Sequence, residues 1–170
     1  MKILLILLLI PSIIYGGVYF DGTDDYINVP NSASLQFDNP MSIMAWIKIP
    51  SGRYGGIVTK CSEPSGSNTG YLFRTTPDRK IEYQNFGAPI GFAGNTVLDI
   101  NTWYHVAMTW SGSTITLYVN GAFDGNKSVA GASSATTNPL NIGRDYSAYN
   151  SPEWFIGKIA DARIDRKSVV

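Results

Sequence analysis

The chain has 170 residues, of which 44% are hydrophobic and 12% aromatic. Thirteen basic and thirteen acidic residues cancel at pH 7, so the composition gives no indication of a nucleic-acid partner or an anionic lipid surface. Cys61 is the only cysteine, which excludes a disulfide within the chain. Because no metal-ligand spacing or neighbouring histidine accompanies it, we interpret Cys61 as an inert, buried residue.

Residues 1–16 have the pattern of a secretory signal peptide. Lys2 precedes an apolar run over residues 3–10, and small residues follow at Gly16 and Gly17. A membrane-spanning helix needs about 20 apolar residues, and this run is too short. We therefore expect cleavage near the two glycines, no membrane insertion afterwards, and a secreted or cell-surface protein. An uncleaved anchor is the alternative.

The remainder, residues 17–164, has the length of one domain and the composition of a sheet protein. The segment MSIMAWIKI (41–49) alternates apolar and polar side chains with period two, as a half-buried strand does. The segments YLFRTT (71–76) and KIEYQN (80–85) are predicted to form a hairpin, because the Pro-Asp-Arg sequence of residues 77–79 is typical of a tight turn.

Residues 103–125 predict a three-stranded meander. Two alternating segments are separated by the turn sequence Ser-Gly-Ser, and Asn120 and Gly121 then favour a type I′ turn. Further short strands are predicted at LNIG (140–143) and FIGKIADARI (155–164). Since no ten-residue window after the signal has a convincing apolar stripe with a 3.6-residue period, the predicted fold class is all-β, a two-sheet antiparallel β-sandwich.

Five sequence motifs occur in a fixed order: FDGTDDYINV, MSIMAWIKI, WYHVAMTWSGSTITLYVNG, LNIGRD and GKIADARI. Together they resemble the laminin G-like, or concanavalin A-like, jelly-roll domains of the bacterial and pentraxin-related type. The resemblance covers Val18 to Ile164 and implies a concanavalin A-like jelly roll. It departs from the family at Ala160, where the family has the first of two closing aspartates, and in the atypical tail 165–170, which we interpret as truncated or foreign sequence.

The resemblance implies a structural calcium ion between the first and last strands, held by Asp21 or Asp24 together with Asp161. Calcium takes about six to eight oxygen ligands, which carboxylates and backbone carbonyl groups can supply. The same aspartates could instead fix a turn by accepting backbone N–H groups. The sequence leaves both interpretations open, a turn alone or a turn that also binds calcium.

Aromatic side chains in two polar segments are the candidate ligand contacts, because sugar rings stack on Tyr and Trp while polar groups bind their hydroxyls. We expect RDYSAYNSPEWF (144–155) to form a loop, and SGRYGG (51–56) to add one tyrosine. The candidate ligand-binding residues are Tyr146, Tyr149, Trp154, Arg144 and Tyr54. In the alternative interpretation, Trp154 packs over the core.

The sequence gives no indication of catalysis. The three glutamates, Glu63, Glu82 and Glu153, are far apart and lack the spacing of a glycosidase pair on one strand. His105, the only histidine, falls inside a predicted strand, and we interpret it as a hydrogen-bonded structural side chain.

The predicted function is a non-catalytic extracellular binding module for carbohydrate or a surface glycoprotein. A glycoside hydrolase of the related jelly-roll group is one alternative, and a structural surface or adhesion protein without a small ligand is another. An Asn-x-Ser sequon begins at Asn126, and the sequence does not indicate whether it is used.

Overall fold

Two antiparallel sheets form the protein. The structure, a computed structural model, describes residues 16–36, 40–61, 69–85, 90–129, 136–146 and 152–165. With strands numbered along the chain, the first sheet contains in spatial order β1 (Val18–Asp21), β14 (Ile156–Asp165), β3 (Met41–Lys48), β8 (Tyr104–Trp110), β9 (Thr114–Val119) and β10 (Ala122–Ser128). The second contains β2 (Ile27–Val29), β11 (Leu140–Ile142), β4 (Gly55–Cys61), β5 (Gly70–Thr75), β6 (Ile81–Asn85) and β7 (Ile90–Ala93). A separate hairpin pairs β12 (Arg144–Tyr146) with β13 (Pro152–Trp154), and Ala33–Leu35 form a 3-10 helix.

The hydrophobic core lies between the two sheets. Along β3, Ile43 and Ile47 are fully buried, whereas Met44 and Trp46 on the opposite face are partly exposed. Phe73 enters the same core from the second sheet. This alternation follows from the pleat of a strand, which points successive side chains to opposite faces. The predicted all-β, two-sheet antiparallel sandwich is confirmed.

The predicted turns are present. Residues 71–85 form the antiparallel pair β5 and β6, and Arg79 in the connecting turn has a φ of 58°. Asn120 and Gly121 have φ angles of 51° and 77°, as a type I′ turn requires. The segment 144–155 differs from the expectation of a loop, because its two ends pair as β12 and β13.

A glycine connects the second sheet to this hairpin. Gly143 lies between β11 and β12 with a φ of 91°. A Cβ atom at this position would stand 2.3 Å from a ring carbon of Phe20, which is 1% exposed and packs edge-on against Phe155. Both the backbone angle and the lack of space therefore favour glycine here.

The two ends of the chain are only partly described. Of the predicted signal peptide, Gly16 is described and residues 1–15 lie outside the described residues, as do residues 166–170 of the predicted tail. Asp165, the first residue of that tail, ends β14 opposite Ser42. In the described part of the chain, no helix has the length and hydropathy that a membrane span requires.

Replacing Gly143 by alanine should lower the free energy of unfolding by about 2 to 4 kcal/mol, since the methyl group adds a steric clash to a strained backbone. Gly121→Ala is the matched control. Its φ is also positive, but nothing lies within 4 Å of the added Cβ, and we expect a loss of about 1 kcal/mol. Urea unfolding of both variants measures the difference, and equal losses would contradict the proposed clash with Phe20.

Candidate ligand-binding site

The β12–β13 hairpin lies directly against the start of β4. The backbone of Arg144 and Asp145 passes so close to Gly56 that a Cβ on this glycine would stand 2.4 Å from the Arg144 carbonyl carbon. The Gly143 N–H donates to the Gly56 carbonyl oxygen at 3.1 Å, and the Phe155 N–H donates to the Gly143 carbonyl oxygen at 2.9 Å. Backbone contacts thus fix the hairpin at its base, and its two faces carry different side chains.

One face of the hairpin holds an arginine against two aromatic rings. Arg144 and Trp154 are opposite each other in the hairpin. The guanidinium carbon of Arg144 lies 3.8 Å from the ring centroid of Tyr26 and 5.5 Å from that of Trp154. Arg144 is 8% exposed and Tyr26 is 41% exposed. The arginine is therefore buried against the rings, where cation–π attraction holds them.

The other face of the hairpin brings two acids onto Arg74. Asp145 and Glu153 are opposite each other in the hairpin, and Arg74 on β5 is opposite Glu82 on β6. The Arg74 Nη1 atom lies 2.6 Å from Glu153 Oε2 and 3.5 Å from Asp145 Oδ2. The Arg74 Nε atom lies 3.1 Å from Glu82 Oε2. We call these four residues the Arg74 cluster.

Burial and charge shift two pKa values in the Arg74 cluster. Burial, together with the neighbouring charge of Glu153, raises the pKa of Asp145 to about 8, although Arg74 acts in the opposite direction. Burial by itself lowers the pKa of Arg74, but the three carboxylates outweigh this effect and raise it. Arg74 therefore stays charged, while Asp145 is the acid that favours keeping its proton.

Tyr54 covers Arg74. The Arg74 guanidinium carbon lies 4.3 Å from the centroid of the Tyr54 ring, and Tyr54 is 40% exposed. The following residue, Gly55, lies against the hairpin, since a Cβ there would stand 3.1 Å from the Trp154 carbonyl oxygen. The structure thus brings three predicted ligand-binding residues, Tyr54, Arg144 and Trp154, to the two faces and the base of one hairpin.

The other two predicted ligand contacts are Tyr146 and Tyr149. Tyr146 lies on β12, where it is opposite Pro152. Tyr149 lies outside the described residues. Their roles in ligand binding stay predictions, as do those of the three residues around the hairpin.

The predicted metal ligands separate into two places. Asp21, Asp24 and Asp25 form an exposed cluster with one carboxylate oxygen of each within 4.8 Å of the others. Asp25 Oδ2 accepts the Asp21 N–H at 3.0 Å, and Asp21 Oδ1 accepts the Thr23 N–H at 2.7 Å. These are the local hydrogen bonds of the predicted turn.

Asp161 is not part of that acidic cluster. In the antiparallel pairing of β1 with β14, Asp21 is opposite Ile156 and Val18 is opposite Ile159. Asp161 lies five residues beyond Ile156, which corresponds to about 16 Å along the strand. Its carboxylate instead accepts a hydrogen bond from Arg163 Nε at 2.7 Å. The expected pairing of Asp21 or Asp24 with Asp161 is therefore not formed, and Asp25 is the third acid of the cluster.

Two residues that we interpreted as structural lie within the packed sheets. The His105 ring packs against Trp46 with centroids 5.4 Å apart, and burial lowers the pKa of its imidazole. The backbone N–H of His105 donates to Asn120 Oδ1 at 2.9 Å, which ties the strand to the type I′ turn. Cys61 is 1% exposed, as expected for a buried residue.

The hairpin creates a carboxylate pair that the spacing of acids in the sequence does not indicate. Asp145, which favours keeping its proton, lies opposite a second carboxyl group, and glycosidases also use a pair of carboxyl groups of which one is protonated. However, Asp145 is 0% exposed, so its carboxyl group cannot reach a glycosidic bond. The arrangement is suited to holding the hairpin on the sheet rather than to hydrolysis.

Sequence reasoning missed Tyr26, Arg74 and Glu82 as neighbours of the site. A signal exists for Arg74, because it interrupts the apolar segment of a predicted strand, and a charge in such a place requires a partner. The partner could not be identified from the sequence, since Glu153 is 79 positions away.

Comparisons with known proteins are consistent with this fold. CBM40 of the Ruminococcus gnavus IT-sialidase has a TM-score of 0.71 at 11% identity, covering 91% of each chain. The same CBM40 has been solved bound to alpha2,3 sialyllactose. The native heptameric SAP-like pentraxin from Limulus polyphemus has a TM-score of 0.65 at 17% identity, covering 89% of this chain and 76% of its own.

A third similar structure contains two domains, LG4-5 of the mouse laminin alpha1 chain. Its TM-score is 0.66 at 15% identity, and the match covers 90% of this chain but only 42% of the laminin chain. Curated protein sequences gave no match. At these identities the structural likenesses concern the fold alone.

The family itself is identified from sequence. A profile of the laminin G family, described as the concanavalin A-like lectin/glucanases superfamily, matches residues 21–168, which is most of the chain. The predicted resemblance is thereby confirmed: the chain belongs to the laminin G family of the concanavalin A-like lectin/glucanases superfamily.

Proposed function

We propose that this chain is a non-catalytic extracellular module that binds carbohydrate through the aromatic side chains around the β12–β13 hairpin. The observation that carries the proposal is the support beneath these rings. Tyr54 lies on Arg74, and Tyr26 and Trp154 lie against Arg144. A ring held in one orientation loses little conformational freedom when a sugar stacks on it.

Polar groups next to the rings suit the hydroxyl groups of a sugar. The side chains of Glu153 and Glu82 are 23% and 13% exposed, and Arg74 holds both of them in place. Their carboxylate oxygens can accept hydrogen bonds from sugar hydroxyls, while the aromatic rings contact the apolar face of the sugar. Arg144 acts in this proposal as a support for Tyr26 and Trp154 rather than as a direct contact.

The similar structures support a binding role. One of them is a carbohydrate-binding module, CBM40, that has been solved with a bound sialylated sugar. A surface glycoprotein would present the same sugar chemistry, and secretion follows from the predicted signal peptide. The burial of Asp145 argues against the glycoside hydrolase alternative.

We also propose that calcium binds to the acidic cluster of Asp21, Asp24 and Asp25. Three carboxylate oxygens within 4.8 Å of one another fit the coordination sphere of one calcium ion, whose ligands lie at about 2.3 to 2.6 Å. Arg53 limits this fit, because its Nη1 donates to the Gly22 carbonyl at 3.1 Å and so uses one oxygen that the ion could take. When bound, calcium would hold the loop after β1 in one conformation.

The carbohydrate proposal predicts binding on a glycan array. For the strongest glycan, Tyr54→Ala and Trp154→Ala should each weaken the affinity about tenfold, because each removes a stacking surface worth about 1 kcal/mol or more. Phe123→Ala is the control, since Phe123 is 63% exposed on the far edge strand β10. Titration calorimetry measures the affinities, and thermal unfolding checks that the variants are folded. An array with no binder, or equal effects of all three variants, would contradict the proposal.

The calcium proposal predicts that millimolar calcium raises the melting temperature and that a chelator reverses the rise, because an ion bound only by the folded state stabilises it. The double variant Asp24→Asn, Asp25→Asn should abolish the rise. Asp161→Asn should retain it, since Asp161 lies away from the cluster. An unchanged melting temperature in calcium would exclude the site, and a loss of the rise in Asp161→Asn would restore the pairing predicted from the sequence.

A further inference from the structure

The Arg74 cluster contains more acids than bases. Glu82, Asp145 and Glu153 surround one guanidinium group, and if all three acids were ionised the cluster would carry two uncompensated negative charges. The side chain of Asp145 is 0% exposed and that of Arg74 is 9% exposed. Water can therefore screen these charges only weakly, and one acid at least is expected to keep a proton.

The hydrogen-bond donors identify which acid keeps the proton. Glu82 accepts from Arg74 Nε at 3.1 Å and from Gln84 Nε2 at 2.8 Å. Glu153 accepts from Arg74 Nη1 at 2.6 Å. In contrast, neither oxygen of Asp145 has a hydrogen-bond partner in the described part of the chain, although both are buried. An ionised carboxylate without a donor is unfavourable, whereas a protonated one has a hydrogen to donate.

Glu153 is the acceptor for that hydrogen. It is directly opposite Asp145 in the hairpin, and both carboxyl groups lie against the same Arg74 Nη1 atom, Glu153 at 2.6 Å and Asp145 at 3.5 Å. We propose that Asp145 and Glu153 share one proton at neutral pH, and that this carboxyl–carboxylate pair is a pH-sensitive clasp that holds the β12–β13 hairpin on the second sheet. This inference concerns the hairpin itself and does not depend on the proposed ligand.

The groups around the pair come from every neighbouring element. Arg74 approaches from β5 and Glu82 from β6, and Tyr54 from the segment before β4 covers Arg74. From β4, Thr59 Oγ1 donates to the Arg144 carbonyl oxygen at 2.7 Å and adds no charge. Arg144 points to the other face of the hairpin, where it contacts Tyr26. Arg74 is thus the one cation in contact with the acids among the described residues.

The direction of the pH effect follows from the proton. Burial raises the pKa of Asp145 from an ordinary 3.8 to about 8, so the folded protein keeps a proton that the unfolded chain releases. The contribution of this group to stability is fully present below pH 4 and falls as the pH rises toward 8. Above that pH, Asp145 is ionised in both states and the hairpin is held least firmly.

Replacing the acid by its neutral isostere should remove this dependence. We expect Asp145→Asn to raise the melting temperature relative to the parent protein, with a gain at least about 4 °C larger at pH 8 than at pH 5. The side-chain amide resembles the protonated acid, because it can donate to Glu153 without acquiring a charge. Thermal unfolding of both proteins between pH 4 and pH 9 measures the difference.

Asp124→Asn is the matched control, because Asp124 is also buried, at 2% exposure, but its Oδ1 accepts the Thr96 N–H at 2.8 Å. This variant should lose stability at both pH values. If Asp145→Asn also lost stability at pH 5 and pH 8 alike, Asp145 would be an ionised partner of Arg74 and the proposal would be wrong.

The unmodified protein supplies a test that does not depend on a variant folding. The carboxyl carbon of Asp145, followed by 13C NMR, should titrate with a midpoint near the raised pKa of about 8. Glu82→Gln should lower this midpoint, because it removes one negative charge from the cluster. The positive charge of Arg74 is then shared between two acids, Asp145 and Glu153, instead of three. With 5-fluorotryptophan incorporated, the 19F signal of Trp154, assigned by comparison with Trp154→Phe, should shift with the same midpoint. A midpoint for Asp145 below about pH 4 would exclude the shared proton.

Discussion

Arg74 lies on the outer face of a sheet with little access to water, and a guanidinium group in such a place is stable only beside carboxylates. Glu82 comes from the neighbouring strand, but the remaining acids come from a hairpin that belongs to neither sheet. Arg74 therefore adds a side-chain contact to the backbone contacts at the base of the hairpin, and it supports both Trp154 on the hairpin and the Tyr54 ring that covers it. A buried ionic contact thus positions the exposed aromatic surface that we propose to bind sugar.

The fold was predictable because its signals are local. Alternation along residues 41–49 depends only on the pleat of a strand, and the positive φ angles at Asn120 and Gly121 depend only on the preferences of those two residues. The order of five motifs then identified the family. None of these signals requires knowledge of which segments meet in space.

The site was predictable only in part, because it depends on contacts between distant segments. In the sequence, Trp154, Arg144 and Tyr54 stand out as aromatic and cationic residues flanked by polar ones, and they lie around one hairpin. Their neighbour Tyr26 comes from the segment after β1, for which the sequence predicted a turn, alone or with calcium, and no ligand contact. Whether two acids such as Asp145 and Glu153 meet depends on the register of a hairpin that the sequence predicted as a loop. The separation of Asp161 from Asp21 has the same origin, since it follows from the register of two antiparallel strands.

Gly56 carries no side chain, yet it sets the electrostatics of the Arg74 cluster. The backbone of Arg144 and Asp145 rests on it so closely that even one methyl group would have to push the hairpin away from the sheet. A displacement of 1 Å would be enough to turn the 2.6 Å contact between Arg74 and Glu153 into a distance beyond hydrogen bonding. Water entering that gap would weaken the attraction further and return the pKa of Asp145 toward its ordinary value. The charge state of the Asp145 side chain is thus governed by how closely its backbone can approach Gly56, and a search for the determinants of acidity here has to include a residue with no acid–base chemistry of its own.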